Sequence, residues 1–311
     1  MNTINQPLVS IVIPVYNGSN YLAEAIDSAL AQTYPHCEVV VVNDGSTDGG
    51  ATEAVALQYG DRIRYFSKEN GGVASALNKG IEMMRGEYFS WLSHDDLYTP
   101  DKVANAVEAL QTVPDPLRTI VVCDLDLIDA AGKLIYRPVR KSVSGLFSGR
   151  EVFLKYLKGL SFGGCNLLIN KELFVQYGKF ENLKTAQDME CWTRFMLHGC
   201  SYLFIRSRDV KSRIHSEQDT QRLSHVFSED KNRLGKMIAA LMSKLNADRT
   251  LWKALVRNQL MEGNSDALRF IRKTSGNSYC LQRLTFGPYY AIYRLLKKLY
   301  YWLFIFKKWA K

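Results

Sequence analysis

Two adjacent carboxylates, Asp95 and Asp96, follow the apolar run Tyr88-Phe89-Ser90-Trp91-Leu92 after Ser93-His94, with no Lys or Arg within five residues. Carboxylates at a buried sheet edge are costly unless a cation compensates them. A hard divalent ion can do so, because Mg²⁺ or Mn²⁺ takes one or two carboxylates and completes its shell with diphosphate oxygens. The dipeptide alone equally allows two solvated loop acids, or a cap at Asp96 for a helix starting near Pro100. Two further polar clusters, Pro14-Val15-Tyr16-Asn17 and Asn43-Asp44-Gly45-Ser46-Thr47-Asp48, also end apolar runs. Asn, Asp, Gly and Ser are ordinary turn residues, so each cluster alone reads as well as a turn. Three on one edge point to a ligand site.

The clusters share an edge only if strands and helices alternate. Leu8–Pro14 is a β-branched run suited to a strand buried on both faces, followed by a helical stretch at 19–32 with Asn20 as its cap, and a second strand at Glu38–Val42. That is a βαβ unit with a parallel sheet. The pattern continues with a helix at 50–58, a strand at 62–67, a helix at 73–85, a strand at 88–92, a helix at 100–112, a strand at 120–123 and an edge hairpin at 133–138. Beyond Gly145 the alternation loosens: helices are expected at 150–159, 171–177 and 188–198, strands at 163–169 and 202–205, and helix throughout 226–311. In open parallel sheets ligands bind outside the carboxyl ends of the strands, where all three clusters fall.

Four ordered motifs carry a resemblance. Val9-Ser10-Ile11-Val12-Ile13-Pro14-Val15-Tyr16-Asn17, Val41-Val42-Asn43-Asp44-Gly45-Ser46-Thr47-Asp48, Asn70-Gly71-Gly72-Val73 through Asn78-Lys79-Gly80, and Asp95-Asp96 resemble the inverting family 2 nucleotide-sugar glycosyltransferases of bacterial surface-polysaccharide type. The resemblance covers roughly residues 8–215 and implies a GT-A fold, α/β and doubly wound around a mostly parallel sheet. It implies that Pro14, Val15, Tyr16, Asn17, Asp44, Gly45, Ser46 and Asn78 hold the nucleotide, with the Asp44 carboxylate accepting from the base. Asp95 then faces ribose and Asp96 the metal, Mg²⁺ or Mn²⁺, which neutralises the leaving diphosphate. In Gln187-Asp188-Met189-Glu190-Cys191-Trp192-Thr193-Arg194, the resemblance makes Asp188 the general base that deprotonates the acceptor hydroxyl. From the residues alone, Asp188 also suits the N-cap of the following helix. His215 falls where related enzymes keep a histidine on a loop closing over the diphosphate, which implies a metal ligand or a phosphate contact, whereas from the residue alone a lone histidine reads equally as an ordinary surface or packed residue. Gly163-Gly164-Cys165-Asn166 matches an acceptor-side element in which Cys165 is a packing residue, since nothing basic adjoins it to lower its pKa. The chain departs from the family's common pattern at Ser93 (often acidic), Leu77 (often arginine) and Gln187 (more often glutamate).

The 40 Lys and Arg outnumber the 31 Asp and Glu, giving a net charge of +9, but the excess is local. No acidic residue follows Asp266, whereas 10 basic ones do, leaving residues 1–266 at −1. A body-wide basic face for nucleic acid is therefore not expected. The six cysteines have no CxxC or metal-knuckle spacing and read as reduced thiols. The polar start lacks the features of a secretory signal, and no apolar run reaches the ~20 residues that span a bilayer. In 289–311, Tyr, Trp, Phe and Leu alternate with Lys297-Lys298 and Lys307-Lys308. Such a tail suits an amphipathic helix lying on an anionic membrane surface, or one docking on protein.

The expectation is a catalytic domain over 1–225 (nucleotide half 1–125, acceptor half 126–225) and a helical region over 226–311. The expected reaction moves a sugar from a UDP- or dTDP-sugar to a hydroxyl of a glycan or lipid-linked glycan acceptor, at the cytoplasmic face of a membrane. A nucleotidyltransferase and a catalytically silent membrane-associated binding protein are the alternatives. The first would need a Gly-rich, Lys/Arg-bearing loop after the first strand, which Pro14–Asn17 does not supply.

Overall fold

The computed structural model describes residues 6–138, 143–218 and 226–275. Strand β1 (Val9–Val15) is buried along its whole length, which is why it reads as an unbroken apolar run. Parallel to it lie β2 (Cys37–Asn43) on one side and β4 (Tyr88–Trp91) on the other, and β3 (Arg64–Ser67) extends the parallel set beyond β2. Helices α1 (Leu22–Leu30), α2 (Ala51–Leu57) and α3 (Val73–Met83) make the crossovers. Gly80 lets α3 lie close on the sheet: a β-carbon there would come within 2.2 Å of Val12 Cγ1.

The sheet continues past β4 in the order β3-β2-β1-β4-β9-β6-β10-β5. Strand β9 (Leu167–Asn170) runs antiparallel to β4 and to β6 (Thr119–Ile128), and β6 pairs in parallel with the long β10 (Ser201–Arg213). Short antiparallel strands flank this half: β5 (Leu97–Tyr98) and β8 (Gly145–Phe147) on β10, and β7 (Leu134–Tyr136) on β6, the expected edge hairpin. Helix α4 (Lys102–Leu110) follows β5, α5 (Gly149–Tyr156) follows β8, and α6 (Lys171–Tyr177) and α7 (Gln187–Leu197) lie between β9 and β10. Parallel pairings supply most of the ladder, as expected of a doubly wound α/β fold.

Several local expectations change. Asn20 does not cap α1; the helix starts one turn after Gly18, whose carbonyl accepts the amides of Tyr21 and Leu22 at 3.2 and 3.0 Å. The expected strand at 163–169 splits into a 3₁₀ turn, Gly164–Asn166, and the shorter β9. The last strand extends from Ser201 to Arg213 rather than ending near Ile205.

The described residues divide into two compact units, one comprising those through Val152 with those of 161–227, the other Phe153–Leu160 with those of 228–275. The second contains α8 (Phe227–Lys244) from its second residue on, α9 (Arg249–Glu262) and α10 (Ser265–Ser275). Helix α9 is capped by Asp248, whose carboxylate accepts the amides of Thr250 and Leu251 at 2.7 and 3.1 Å, and it ends on Gly263 at φ +74°. Among the described residues no helix is long and apolar enough to cross a membrane. The expected tail helix at 289–311 lies outside the described residues.

Candidate active site

At the carboxyl ends of β1, β2 and β4 the first unit opens into a cleft of about 1080 Å³. Pro14, Val15, Tyr16, Asn17, Asp44, Asp95, Asp96, Asp188 and His215 all line it, so the chain brings together most of the residues singled out from its sequence. Gly45, Ser46 and Asn78 are not among the lining residues. Asn78 instead exchanges both amide hydrogen bonds with the backbone of Phe180 at 2.9 Å, joining α3 to the segment that leads toward α7. Gly45 stands at φ +69°, where a β-carbon would meet the Asn70 amide at 2.6 Å, and Ser46 donates to Asn43 Oδ1 at 2.7 Å. These three residues shape the cleft's wall from behind.

One side of the cleft is built on two interlocked turns. Asn17 occupies the left-handed region at φ +48°; its amide donates to Ser46 Oγ at 2.9 Å and its Oδ1 accepts the Thr47 amide at 2.7 Å. Asp44, almost wholly buried, accepts from Lys68 Nζ at 2.6 Å, from the Gly72 amide at 2.7 Å and from the Gly71 amide at 3.2 Å. Its carboxylate therefore already holds the Gly71-Gly72 loop against β2, and a base would share it with those donors. Lys68 and this loop role were not visible in the sequence, because the ion pair joins two strand ends.

The acidic pair leaves β4 through a turn in which the Asp96 amide donates to the Ser93 carbonyl at 3.1 Å. Beneath it, Lys102 is buried with its Nζ on Ser90 Oγ and, at 3.1 Å, on the Leu167 carbonyl, while Tyr98 OH donates to the Trp91 carbonyl at 2.6 Å. Asp96 Oδ1 accepts the backbone amide of Arg213 at 2.8 Å. Burial, and secondarily the neighbouring Asp95 carboxylate, push the Asp96 carboxyl up to about 7. A pair in this condition is what a divalent cation would relieve. Asp95 Oδ2 meets His215 Nε2 at 3.0 Å, and the imidazole packs on Tyr21 with ring centroids 5.0 Å apart. A carboxylate only accepts, so Nε2 carries the proton and Nδ1 is the atom left to ligate. Among the described residues no group of three or more His, Cys, Asp or Glu converges on one point. Two carboxylates with diphosphate oxygens nonetheless satisfy Mg²⁺ or Mn²⁺, and the donors fit that ion class.

Across the cleft lie the Gly163–Asn166 turn and the start of α7. Ser93 donates its amide to Cys165 Sγ at 3.3 Å, and burial raises the Cys165 thiol well above its ordinary range, so it packs rather than attacks. Helix α7 is preceded by Ala186 as N-cap, which puts Asp188 inside the first turn instead of at the cap position. Its Oδ1 accepts the Met189 amide at 2.7 Å, and burial lifts its carboxyl to about 6 against that bond. One turn on, Arg194 grips Glu190 through Nε at 2.9 Å and Nη2 at 2.7 Å, and donates to the carbonyls of Tyr177, Gly178 and Lys179 at the end of α6. An acid held near pH 6 on a fixed helix is suited to taking a proton.

Known proteins share this architecture and sequence. The profile described as "Glycosyl transferase family 2" matches residues 10–178. An uncharacterized glycosyltransferase of Rickettsia bellii is 49% identical over 229 residues, covering 73% of this chain and 33% of its own length, so the chain spans about a third of that relative. Another, of Rickettsia prowazekii, is 41% identical over 271 residues, covering 87% of this chain and 81% of its own. The crystal structure of S. aureus TarS residues 1–349 with UDP-GlcNAc superposes with a TM-score of 0.65 at 18% identity, covering 83% of this chain and 73% of that one, and shares its fold. By its sequence, the chain belongs to glycosyl transferase family 2.

Proposed function

We propose that the chain transfers a sugar from a nucleoside diphosphate sugar to a hydroxyl of a glycan acceptor with inversion at the anomeric carbon. The observation that carries this reading is that a paired acid, Asp95-Asp96, and a half-buried acid whose pKa is raised to about 6, Asp188, line one cleft with the Pro14–Asn17 turn and Asp44. In this reading the Pro14–Asn17 turn and the Asp44-held loop cradle the nucleoside, and Asp95 faces its ribose. Asp96 and His215 would hold Mg²⁺ or Mn²⁺, which when bound neutralises charge on the departing diphosphate. Asp188 accepts the proton of the acceptor hydroxyl as it attacks, and one base without a covalent intermediate suffices for inversion. The UDP-GlcNAc held by TarS supports a UDP-sugar over a dTDP-sugar. We assign the catalytic portion to residues 1–225. We read the basic aromatic sequence 289–311 as a peripheral contact with the cytoplasmic face of an anionic membrane, where a lipid-linked acceptor would lie.

The test is turnover of a panel of UDP- and dTDP-sugars by the full chain, with Mn²⁺ or with EDTA, for wild type, Asp188→Ala and Asp96→Ala. The expected result is Mn²⁺-dependent turnover that both substitutions abolish. Equal turnover in all three proteins would sink the proposal. For the membrane, deletion of 289–311 should release the chain from phosphatidylserine vesicles, and persistent binding would count against that part.

A further inference from the structure

One residue far along the chain from the acidic pair touches both of its members. Arg213, the last residue of β10, donates its backbone amide to Asp96 Oδ1 at 2.8 Å and its Nε to the Asp95 carbonyl at 2.9 Å. Both terminal nitrogens of its guanidinium are engaged as well. Nη1 donates to the Ala130 carbonyl in the β6–β7 turn at 2.8 Å, Nη2 to Glu24 Oε2 on the first turn of α1 at 2.7 Å, and the group lies 4.4 Å from the Tyr21 ring centre. Its side chain is 1% exposed, whereas that of its counter-ion Glu24 is 54% exposed. Tyr21 also carries the His215 ring, so this guanidinium underlies both the acidic turn and the loop that bears His215.

Resting on the glycosyl-transfer reading above, we propose that Arg213 and Glu24 are positioning residues that set the Asp95-Asp96 pair for a divalent cation and diphosphate. The chemistry explains why arginine stands there. A planar fork satisfies the Asp95 carbonyl, the Ala130 carbonyl and the Glu24 carboxylate at once, and a lysine ammonium in the same space satisfies fewer of them and with no fixed plane. The backbone amide on Asp96 is kept in the Lys and Met variants at 213. What a variant loses is therefore the hold on Asp95 and the tether to α1. Neither Arg213 nor Glu24 lines the cleft, so their effect on a bound ion passes through the acidic turn.

The experiment measures calorimetric binding of UDP to the full chain, with and without Mn²⁺, for wild type, Arg213→Lys, Arg213→Met and Glu24→Gln. Wild type binds UDP more tightly with Mn²⁺. In Arg213→Lys and Glu24→Gln that enhancement falls by about tenfold, the scale on which outer partners of metal ligands act, while metal-free UDP affinity stays within about twofold. Arg213→Met shows a larger loss; should it fail to fold, Glu24→Gln decides, because Glu24 is half-exposed. An unchanged Mn²⁺ enhancement in both milder variants overturns the positioning role and leaves the glycosyl-transfer reading standing. So does a loss of metal-free and metal-dependent affinity in equal proportion, which marks general destabilisation. Wild type that binds neither UDP nor dTDP at all overturns both.

Discussion

Glu190 and Arg194 face each other one helical turn apart, joined by two parallel bonds of 2.7 and 2.9 Å, and the same guanidinium closes the carbonyl end of α6. The helix carrying Asp188 is thereby fixed to the helix before it. Breaking a buried pair by removing one partner leaves the other charge stranded, at about 3–5 kcal/mol. Arg194→Met should lower unfolding stability in urea by that order. The double replacement of Glu190 and Arg194 by apolar residues should recover part of the loss.

Asp188→Asn should reduce kcat by about 10²–10⁴-fold, the range of a general base, with the donor KM little moved. Wild-type kcat/KM should rise with pH through about 6 and level above it, because burial raises this carboxyl and only its ionised form accepts a proton. A flat profile between pH 5 and 8 would remove Asp188 from that role. The sign for stability is the reverse of the usual carboxylate case. A raised pKa makes ionisation a cost that is absent below about 3.8 and complete above about 6. Asp188→Asn should therefore raise the Tm at pH 8 and leave it nearly unchanged at pH 4.

Asp44→Asn keeps the shape of the side chain but removes the charge that Lys68 meets at 2.6 Å. Losing a charge-assisted hydrogen bond costs about 1.5–3 kcal/mol. We expect weaker UDP binding by roughly 10–100-fold, together with faster amide exchange at Gly71 and Gly72. Exchange that quickens while UDP affinity holds would limit Asp44 to supporting the loop.

Gly164 has no room for a methyl group: a β-carbon would lie 2.0 Å from Trp91 Cε3. Gly164→Ala should destabilise the fold by about 1–3 kcal/mol through overpacking. Trimming the indole with Trp91→Leu in the same chain should relieve the clash. The trim removes no hydrogen bond, since the Trp91 Nε1 finds no partner among the described residues.

The parallel half was legible because burial on both faces writes itself as β-branched runs, and the ends of β1, β2 and β4 fall where the polar clusters begin. The second half was less so. In β6 the alternation Asp124-Leu125-Asp126-Leu127 is a period-two signal that extends the strand past Cys123, although a pure apolar count stops there. In β10, Arg206, Arg208 and Asp209 interrupt the run where the register shifts twice against β6, and the partner beyond, β5, is two residues long. A strand with charged residues at a bulge does not announce itself, and Arg213 at its end was hidden with it. The site followed the same division: the acids in turns were visible from their types, whereas Lys68, Glu24 and Arg213 act through contacts across the fold.

The acidic turn and the arginine beneath it are separated by 118 residues. During synthesis at about 5–20 residues per second, Asp95 and Asp96 leave the ribosome roughly 6–24 s before Arg213 does. Through that interval the nascent parallel half carries two carboxylates with no guanidinium under them, and β6 waits unpaired on the side that β10 will take. A chain released before residue 213 therefore lacks a finished acidic turn, because the Arg213 amide on Asp96 Oδ1 and the Arg213 Nε on the Asp95 carbonyl are both missing from it.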